Sequence, residues 1–244
     1  WRVQLGWQRD SRNDFLMPTR GTYHRIGAEV VLPGSDLEYY RLSYNFERYT
    51  LLAHWVGLKI GADFLKRLNP GAKVLISDPS WENHRALFTN AGFTVENYRY
   101  YDAAKRGVNF DGMLADLNGA APGTIAVLHA CCHNPTGYDI TPAQWDQVVA
   151  TVKARGLVPF LDMAYQGFGY GLAEDGAVIG KFVAAGLSFF VSTSFSKSFS
   201  LYGERVGALS VLCENKEEAN RVLSQLKIVI RTNYSNPPTF GAQL

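Results

Sequence analysis

The stretch Thr124–Tyr165, TIAVLHACCHNPTGYDITPAQWDQVVATVKARGLVPFLDMAY, decides the fold. An apolar, β-rich run over Thr124–His129 leads into the turn-forming Asn134-Pro135-Thr136-Gly137. A helical pattern then occupies Pro142–Arg155, and a second apolar run, Val158–Asp162, follows. Pro142 stands where a first helical turn tolerates proline, because the N–H at that position has no intrahelical partner. Apolar run, helix, apolar run is the pattern of a parallel β-α-β unit covered on both faces.

The same alternation extends in both directions from about residue 57. Further strands are predicted at Lys73–Ser77, Phe93–Tyr98, Ser188–Thr193 and Val206–Leu212, with helices at Leu58–Leu68, Trp81–Ala91, Gly176–Ala185 and Lys216–Arg231. The fold class is therefore α/β, a mostly parallel sheet with helices on both faces. A chain of 244 residues with 47% hydrophobic residues has ample material for such a core. Ligands of these sheets sit at the carboxyl ends of the strands, where His129, Asn134, Asp162, Ser194 and Lys197 fall.

Twenty-four basic and 22 acidic residues leave a net charge of +2, so neither nucleic acid nor an anionic membrane is expected as a partner. Three cysteines, two of them adjacent (Cys131 and Cys132, with Cys213), suit a reduced cytoplasm better than a disulfide framework. No signal peptide is expected. The most apolar window, Leu51–Leu65, is broken by His54, Lys59 and Asp63, so no membrane span is expected either.

Residues 1–56 differ in character. The first fifty positions hold Arg2, Arg9, Arg12, Arg20, Arg25, Arg41 and Arg48 but no lysine, and their helical or strand periodicity is weak. A boundary is expected near residue 56, with the segment before it unassigned. Arginine without lysine is also what a shifted reading of a GC-rich gene would produce.

Lys197 lies beyond an apolar strand among hydroxyls and aromatics, in Ser194-Phe195-Ser196-Lys197. Such a lysine can act as an amine nucleophile toward a carbonyl, although spacing alone leaves a solvent-facing lysine open. Asp162 ends its strand, where a carboxylate can hold a pyridinium nitrogen protonated or simply cap a helix. Histidines and cysteines at 129–133 invite a zinc reading. No second ligand pair stands at a structural-site spacing, and adjacent cysteines on a strand would point to opposite faces, so no metal is expected.

Taken in order, Asp78-Pro-Ser-Trp-Glu-Asn-His84, His133-Asn-Pro-Thr-Gly137, Asp162-Met-Ala-Tyr165, Ser194-Phe-Ser-Lys197 and Tyr202-Gly-Glu-Arg205-Val-Gly207 resemble the successive signatures of class I aminotransferases of the aspartate/aromatic family. The resemblance covers residues 57–244 and is strongest to bacterial aromatic-amino-acid aminotransferases. It implies the large domain of a fold-type I enzyme using pyridoxal 5'-phosphate, incomplete at both ends. It further implies transfer of the amino group of an aromatic or acidic L-amino acid to a 2-oxo acid such as 2-oxoglutarate, in a cytoplasmic homodimer.

Carried over by position, Lys197 would be the covalent anchor and the acid/base. Asp162 would pair with the pyridine nitrogen, with His84 and His129 behind it. Asn134 and Tyr165 would hydrogen-bond the ring's phenolic oxygen, Trp81 would stack on the ring, and Ser194 and Arg205 would hold the phosphate. Arg231 would reach a neighbouring subunit's substrate. Against the family pattern, Ala53-His54-Trp55-Val56-Gly57 stands in place of the glycine-rich phosphate turn, and the C-terminal small domain is expected to be absent. Weak cofactor affinity and a catalytically incomplete remnant are thus the expectation for this chain alone. A lyase or decarboxylase using the same cofactor is the remaining alternative.

Overall fold

In a computed structural model, residues 2–10, 21–31, 40–49, 56–202, 206–233 and 235 are described. The chain divides into two units, Trp1–Ala53 and His54–Leu244.

The first unit is an antiparallel meander of β1 (Arg2–Asp10), β2 (Gly21–Val31) and β3 (Tyr40–Tyr49), in spatial order β1-β2-β3. Its regular pairing departs from the weak periodicity of the sequence. The alternation is clear only in mid-strand: on one register face Val3, Leu5 and Trp7 run into Arg9, and Ile26 runs into His24 and Thr22.

The second unit begins with α1 (Val56–Leu68), β4 (Lys73–Asp78), α2 (Glu82–Asn90) and β5 (Thr94–Arg99). A two-residue ladder of β6 (Tyr101–Asp102) and β7 (Gly107–Val108) leads to α3 (Phe110–Gly119) and β8 (Ile125–His129). Then come α4 (Pro142–Arg155), β9 (Val158–Met163), α5 (Leu172–Ala184), β10 (Phe189–Ser194), the single turn α6 (Phe195–Ser198), β11 (Gly207–Leu212) and α7 (Lys216–Asn233). Six strands form one sheet in the order β11-β10-β9-β8-β4-β5, parallel except for the antiparallel edge strand β11.

Central strands β8 and β9 are buried almost throughout, which explains why they read as unbroken apolar runs rather than alternations. One core gathers Met113, Leu117, Trp145, Val148 and Phe182 from α3, α4 and α5. The other gathers Phe64, Leu87, Phe88, Leu226 and Val229 from α1, α2 and α7. Helices therefore cover both faces, as the α/β reading requires.

Local chemistry sets the element ends. Thr141 accepts from the Gln144 backbone N–H while the Gln144 side chain accepts from the Thr141 N–H, a reciprocal cap that starts α4. Gly156 ends it in the left-handed conformation at φ 61°. Helix α3 lies outside the predicted elements, because Gly112 and Gly119 dilute its pattern. Its start is fixed by Asn109, whose side chain accepts from the Gly112 N–H at 3.1 Å. Helix α5 begins four residues before the predicted Gly176, at Leu172.

Candidate active site

Strand β4 pairs with β5 on one side and β8 on the other, so successive connections leave it in opposite directions. The carboxyl ends beside such a reversal form a crevice in doubly wound sheets. Here a small cavity is lined by Trp81, His129, Asn134, Asp162, Tyr165, Ser194 and Lys197. Seven residues singled out in the sequence thus meet at one place, because their strands end together: His129 and Asp162 are register partners on β8 and β9.

Asp162 is buried, and its Oδ2 lies 2.9 Å from Nε2 of His84, which has no exposed surface. Nδ1 of His84 in turn lies 2.9 Å from the Ser80 hydroxyl. With Nε2 carrying the proton toward Asp162, Nδ1 accepts from Ser80, and the carboxylate is held in one orientation. Trp81 immediately precedes α2 and packs edge-on against His84, with ring centroids 5.3 Å apart.

His129 is half-buried, but both of its ring nitrogens are enclosed and neither has a hydrogen-bond partner. Burial first, then the neighbouring His84 and His133, push its pKa well below the usual histidine range, so the ring is neutral. His133 stacks on Tyr100 at 3.8 Å and bridges the Ser77 and Thr136 hydroxyls. Its pKa is pushed down to about 3, by burial and then by His84.

The turn after β8 is stapled by Asp139, whose carboxylate accepts from the backbone N–H groups of Cys132 and His133 at 2.7 and 2.8 Å. That staple positions Asn134 at the cavity. Beyond β9, the Tyr165 ring lies 4.9 Å from the Lys197 Nζ. Burial is the main cause of the raised Tyr165 pKa, with Tyr202 and Asp162 adding to it, so the phenol keeps its proton. The glycine-rich loop that follows is gathered by Asp175, which accepts from the N–H groups of Gly167, Gly169 and Tyr170 at 2.8–3.0 Å. Lys197 itself sits on α6, whose start is capped by the Ser194 hydroxyl accepting from the Ser196 N–H.

Two predicted residues stand apart. Arg205 lies outside the described residues, as do His54 and Trp55 of the replaced turn. Arg231 is exposed near the end of α7, where it donates to the Ser235 hydroxyl, and it does not line the cavity.

The cysteine geometry corrects the sequence reading. Strand β8 ends at His129 and Cys132 adopts φ 50°, so the two thiols do not point to opposite faces; Cys131, Cys132 and Asp175 bring ligand atoms within 4.8 Å of one another. Burial raises both thiol pKa values, and Asp175 is already engaged by three N–H groups, which disfavours the thiolates a metal needs. Cys131 also lines the cavity, as do Ser192 and Ala164. Their position at or just beyond strand ends was the available signal.

A buried carboxylate, an amine and flat aromatic side chains thus meet at the strand ends of a doubly wound sheet. Residues 50–244 match the family model "Aminotransferase class I and II", and the chain belongs to that family. The aspartate aminotransferase of Pseudomonas aeruginosa is 67% identical over 187 residues, which is 77% of this chain and 47% of that protein. The aromatic-amino-acid aminotransferase of Escherichia coli is 58% identical over the same shares. The chain thus spans about half the length of the curated relatives it matches.

Among solved structures, an aromatic-amino-acid aminotransferase from Burkholderia pseudomallei, covalently bound to pyridoxal phosphate, superposes with a TM-score of 0.75 at 72% identity. It covers 76% of this chain and 46% of its own. A second family model, "Omp85 superfamily domain", matches residues 1–78.

Proposed function

We propose that the protein carrying this domain is an aminotransferase that moves the amino group of an aromatic or acidic L-amino acid to a 2-oxo acid. The observation that carries this reading is the meeting of Lys197 and the His84-braced Asp162 in one cavity at the strand ends. The named relatives, which include both aspartate and aromatic-amino-acid aminotransferases, support this substrate range.

The residues fit pyridoxal 5'-phosphate. Asp162 offers a buried carboxylate, Trp81 a flat face, and His129 has two enclosed nitrogens without partners. When bound, the cofactor supplies an aldehyde carbon for amine attachment and a ring that accepts the electron pair left when a Cα–H bond breaks.

Lys197 Nζ would be the amine that holds the cofactor, and as a free amine it would serve as the base that takes the proton from the substrate Cα and as the acid that gives it back. Asp162 would keep the pyridine nitrogen protonated, and His84 fixes that carboxylate. The neutral ring of His129 stands behind it without adding a competing charge. Tyr165, as a phenol, and Asn134 would hydrogen-bond the ring oxygen. Trp81 would offer a flat face to the ring, and Ser194 with Arg205 would hold the phosphate.

Arg231, exposed and away from its own cavity, serves a neighbouring subunit in a homodimer. The three cysteines are free, which favours the cytoplasm.

The test is amino transfer. With pyridoxal phosphate and L-tyrosine or L-aspartate, glutamate should accumulate from 2-oxoglutarate. Release of ammonia or carbon dioxide in its place would replace this reading with a lyase or decarboxylase.

A further inference from the structure

Cys131 and Cys132 take no part in the steps above, yet the fold holds their sulfur atoms together. Strand β8 has ended at His129 and Cys132 lies in the left-handed region at φ 50°, so the alternation of a strand no longer separates the two side chains. The two Sγ atoms lie within 4.8 Å of each other and of a carboxylate oxygen of Asp175.

The pair is fixed in place. Asp139 accepts from the Cys132 N–H at 2.7 Å, and the Cys132 thiol donates to the Tyr165 carbonyl at 3.7 Å. Asp175 is itself tied to the N–H groups of Gly167, Gly169 and Tyr170. Cys131 lines the cavity at the strand ends and Cys132 is half-buried, which gives a small solute a way to the pair.

Magnitudes choose among the chemical uses of two such thiols. A direct disulfide suits Cα atoms about 4.4–6.8 Å apart, whereas neighbouring residues sit about 3.8 Å apart across a trans peptide. The Sγ–Sγ bond is therefore disfavoured. Zinc needs thiolates and about four ligands, and the third member of this group among the described residues, Asp175, is already engaged by loop N–H groups. A singly charged soft metal on two thiolates would leave a net negative charge beside Asp139 and Asp175. Burial raises the pKa of both thiols, and these two carboxylates add to it. The pair thus favours a soft atom whose adduct with two sulfurs is neutral.

Arsenous acid, As(OH)3, forms such an adduct. Two As–O bonds break as two As–S bonds form, each thiol proton leaves with a hydroxide as water, and arsenic stays trivalent. The balance needs no oxidant and leaves no thiolate.

We propose that Cys131 and Cys132 form a chelating site for trivalent arsenic in the wall of the cavity, with the remaining As–OH donating to the Asp175 carboxylate. Because Cys131 lines the cavity together with Asn134, Tyr165 and Lys197, the adduct narrows the space there. The inference goes beyond amino transfer and rests on no step of it.

The test uses the 244-residue chain, reduced with a phosphine so that no other thiol competes, and sodium arsenite as the probe. Native mass spectrometry should show one arsenic per chain, and X-ray absorption at the arsenic edge should show two sulfur neighbours and one oxygen. Cys131→Ser and Cys132→Ser should each weaken binding by about 100-fold or more, because a lone thiol loses the effective concentration of the second. Cys213 follows β11 and joins no such group among the described residues, so Cys213→Ser should bind as the parent does. Circular dichroism would check that each variant keeps its fold, and the absorption spectrum of the parent decides without any variant.

A chain that takes up no arsenic overturns the proposal. So does arsenic bound to a single sulfur, or binding that persists unchanged in Cys131→Ser or Cys132→Ser.

Discussion

The two sheets of this chain solve the same problem differently. In the sheet β11-β10-β9-β8-β4-β5, central strands are apolar on both sides and disappear between two layers of helices, leaving only their carboxyl ends to meet a ligand. In the meander β1–β3, apolar Leu5, Trp7 and Ile26 share one register face only in mid-strand, and all three are exposed. Burial on both faces makes a rigid platform whose strand ends can be decorated with chemistry. Apolar side chains left exposed make a surface whose meaning depends on what lies against it.

The contrast is sharpest at the platform's strand ends, where the largest effects are expected. Lys197→Ala should lower amino transfer by at least about 10⁴-fold, since it removes covalent anchor and acid/base together. Steady-state assays of the protein carrying this domain check it, and near-normal turnover would break the assignment. Asp162→Asn should leave the cofactor bound but slow proton removal by about 10³-fold, roughly 4 kcal/mol in the barrier, because an amide does not hold the ring nitrogen protonated. Single-turnover absorbance would read the step, and an unchanged rate would remove Asp162 from the mechanism.

The same truncation applied to both sheets sharpens the comparison next. Leu128 on β8 is 1% exposed, so Leu128→Ala should cost about 2–5 kcal/mol in denaturant unfolding. Leu5 is 72% exposed, so Leu5→Ala should stay within about 0.5 kcal/mol. Similar costs at the two positions would mean that the meander's apolar face is covered by protein.

Between these two lies a pH effect confined to the platform. The fold holds His133 neutral down to about pH 3, whereas in the unfolded chain the ring takes a proton near pH 6.5. Stability from this group is therefore complete above about pH 6.5 and falls as the pH drops toward 3. His129 acts in the same direction. Thermal melts of His133→Asn between pH 7 and 4 should show a shallower loss than the parent, and an unchanged slope would remove His133 as its source.

Much of the platform was legible because buried parallel strands and capped helices carry strong local signals. Strand Val158–Asp162 is extended only by Met163, and helix Pro142–Arg155 is bounded as read, because Thr141, Pro142 and Gly156 mark its ends. Helix α3 was not legible, since its start depends on one Asn109 side chain and two glycines weaken its pattern. Strands β1–β3 were hidden by Arg9, His24 and Thr22, which interrupt the apolar face toward one end.

The convergence of His129, Asn134, Asp162, Ser194 and Lys197 followed from their strand-end positions. The supporting carboxylates did not. Asp139 and Asp175 act on backbone N–H groups five to eight residues away, through loops whose course no periodicity encodes. The turn at Cys132 depends on a left-handed backbone conformation that a non-glycine residue does not announce.

The most direct test of the account is to saturate the protein with pyridoxal phosphate, reduce it with borohydride, and map the labelled peptide by mass spectrometry. The cavity at the ends of β8, β9 and β10 predicts a single modified residue, Lys197, with labelling lost in Lys197→Ala and no transfer to another lysine. Label on another of the nine lysines, or a label that persists in Lys197→Ala, would contradict it.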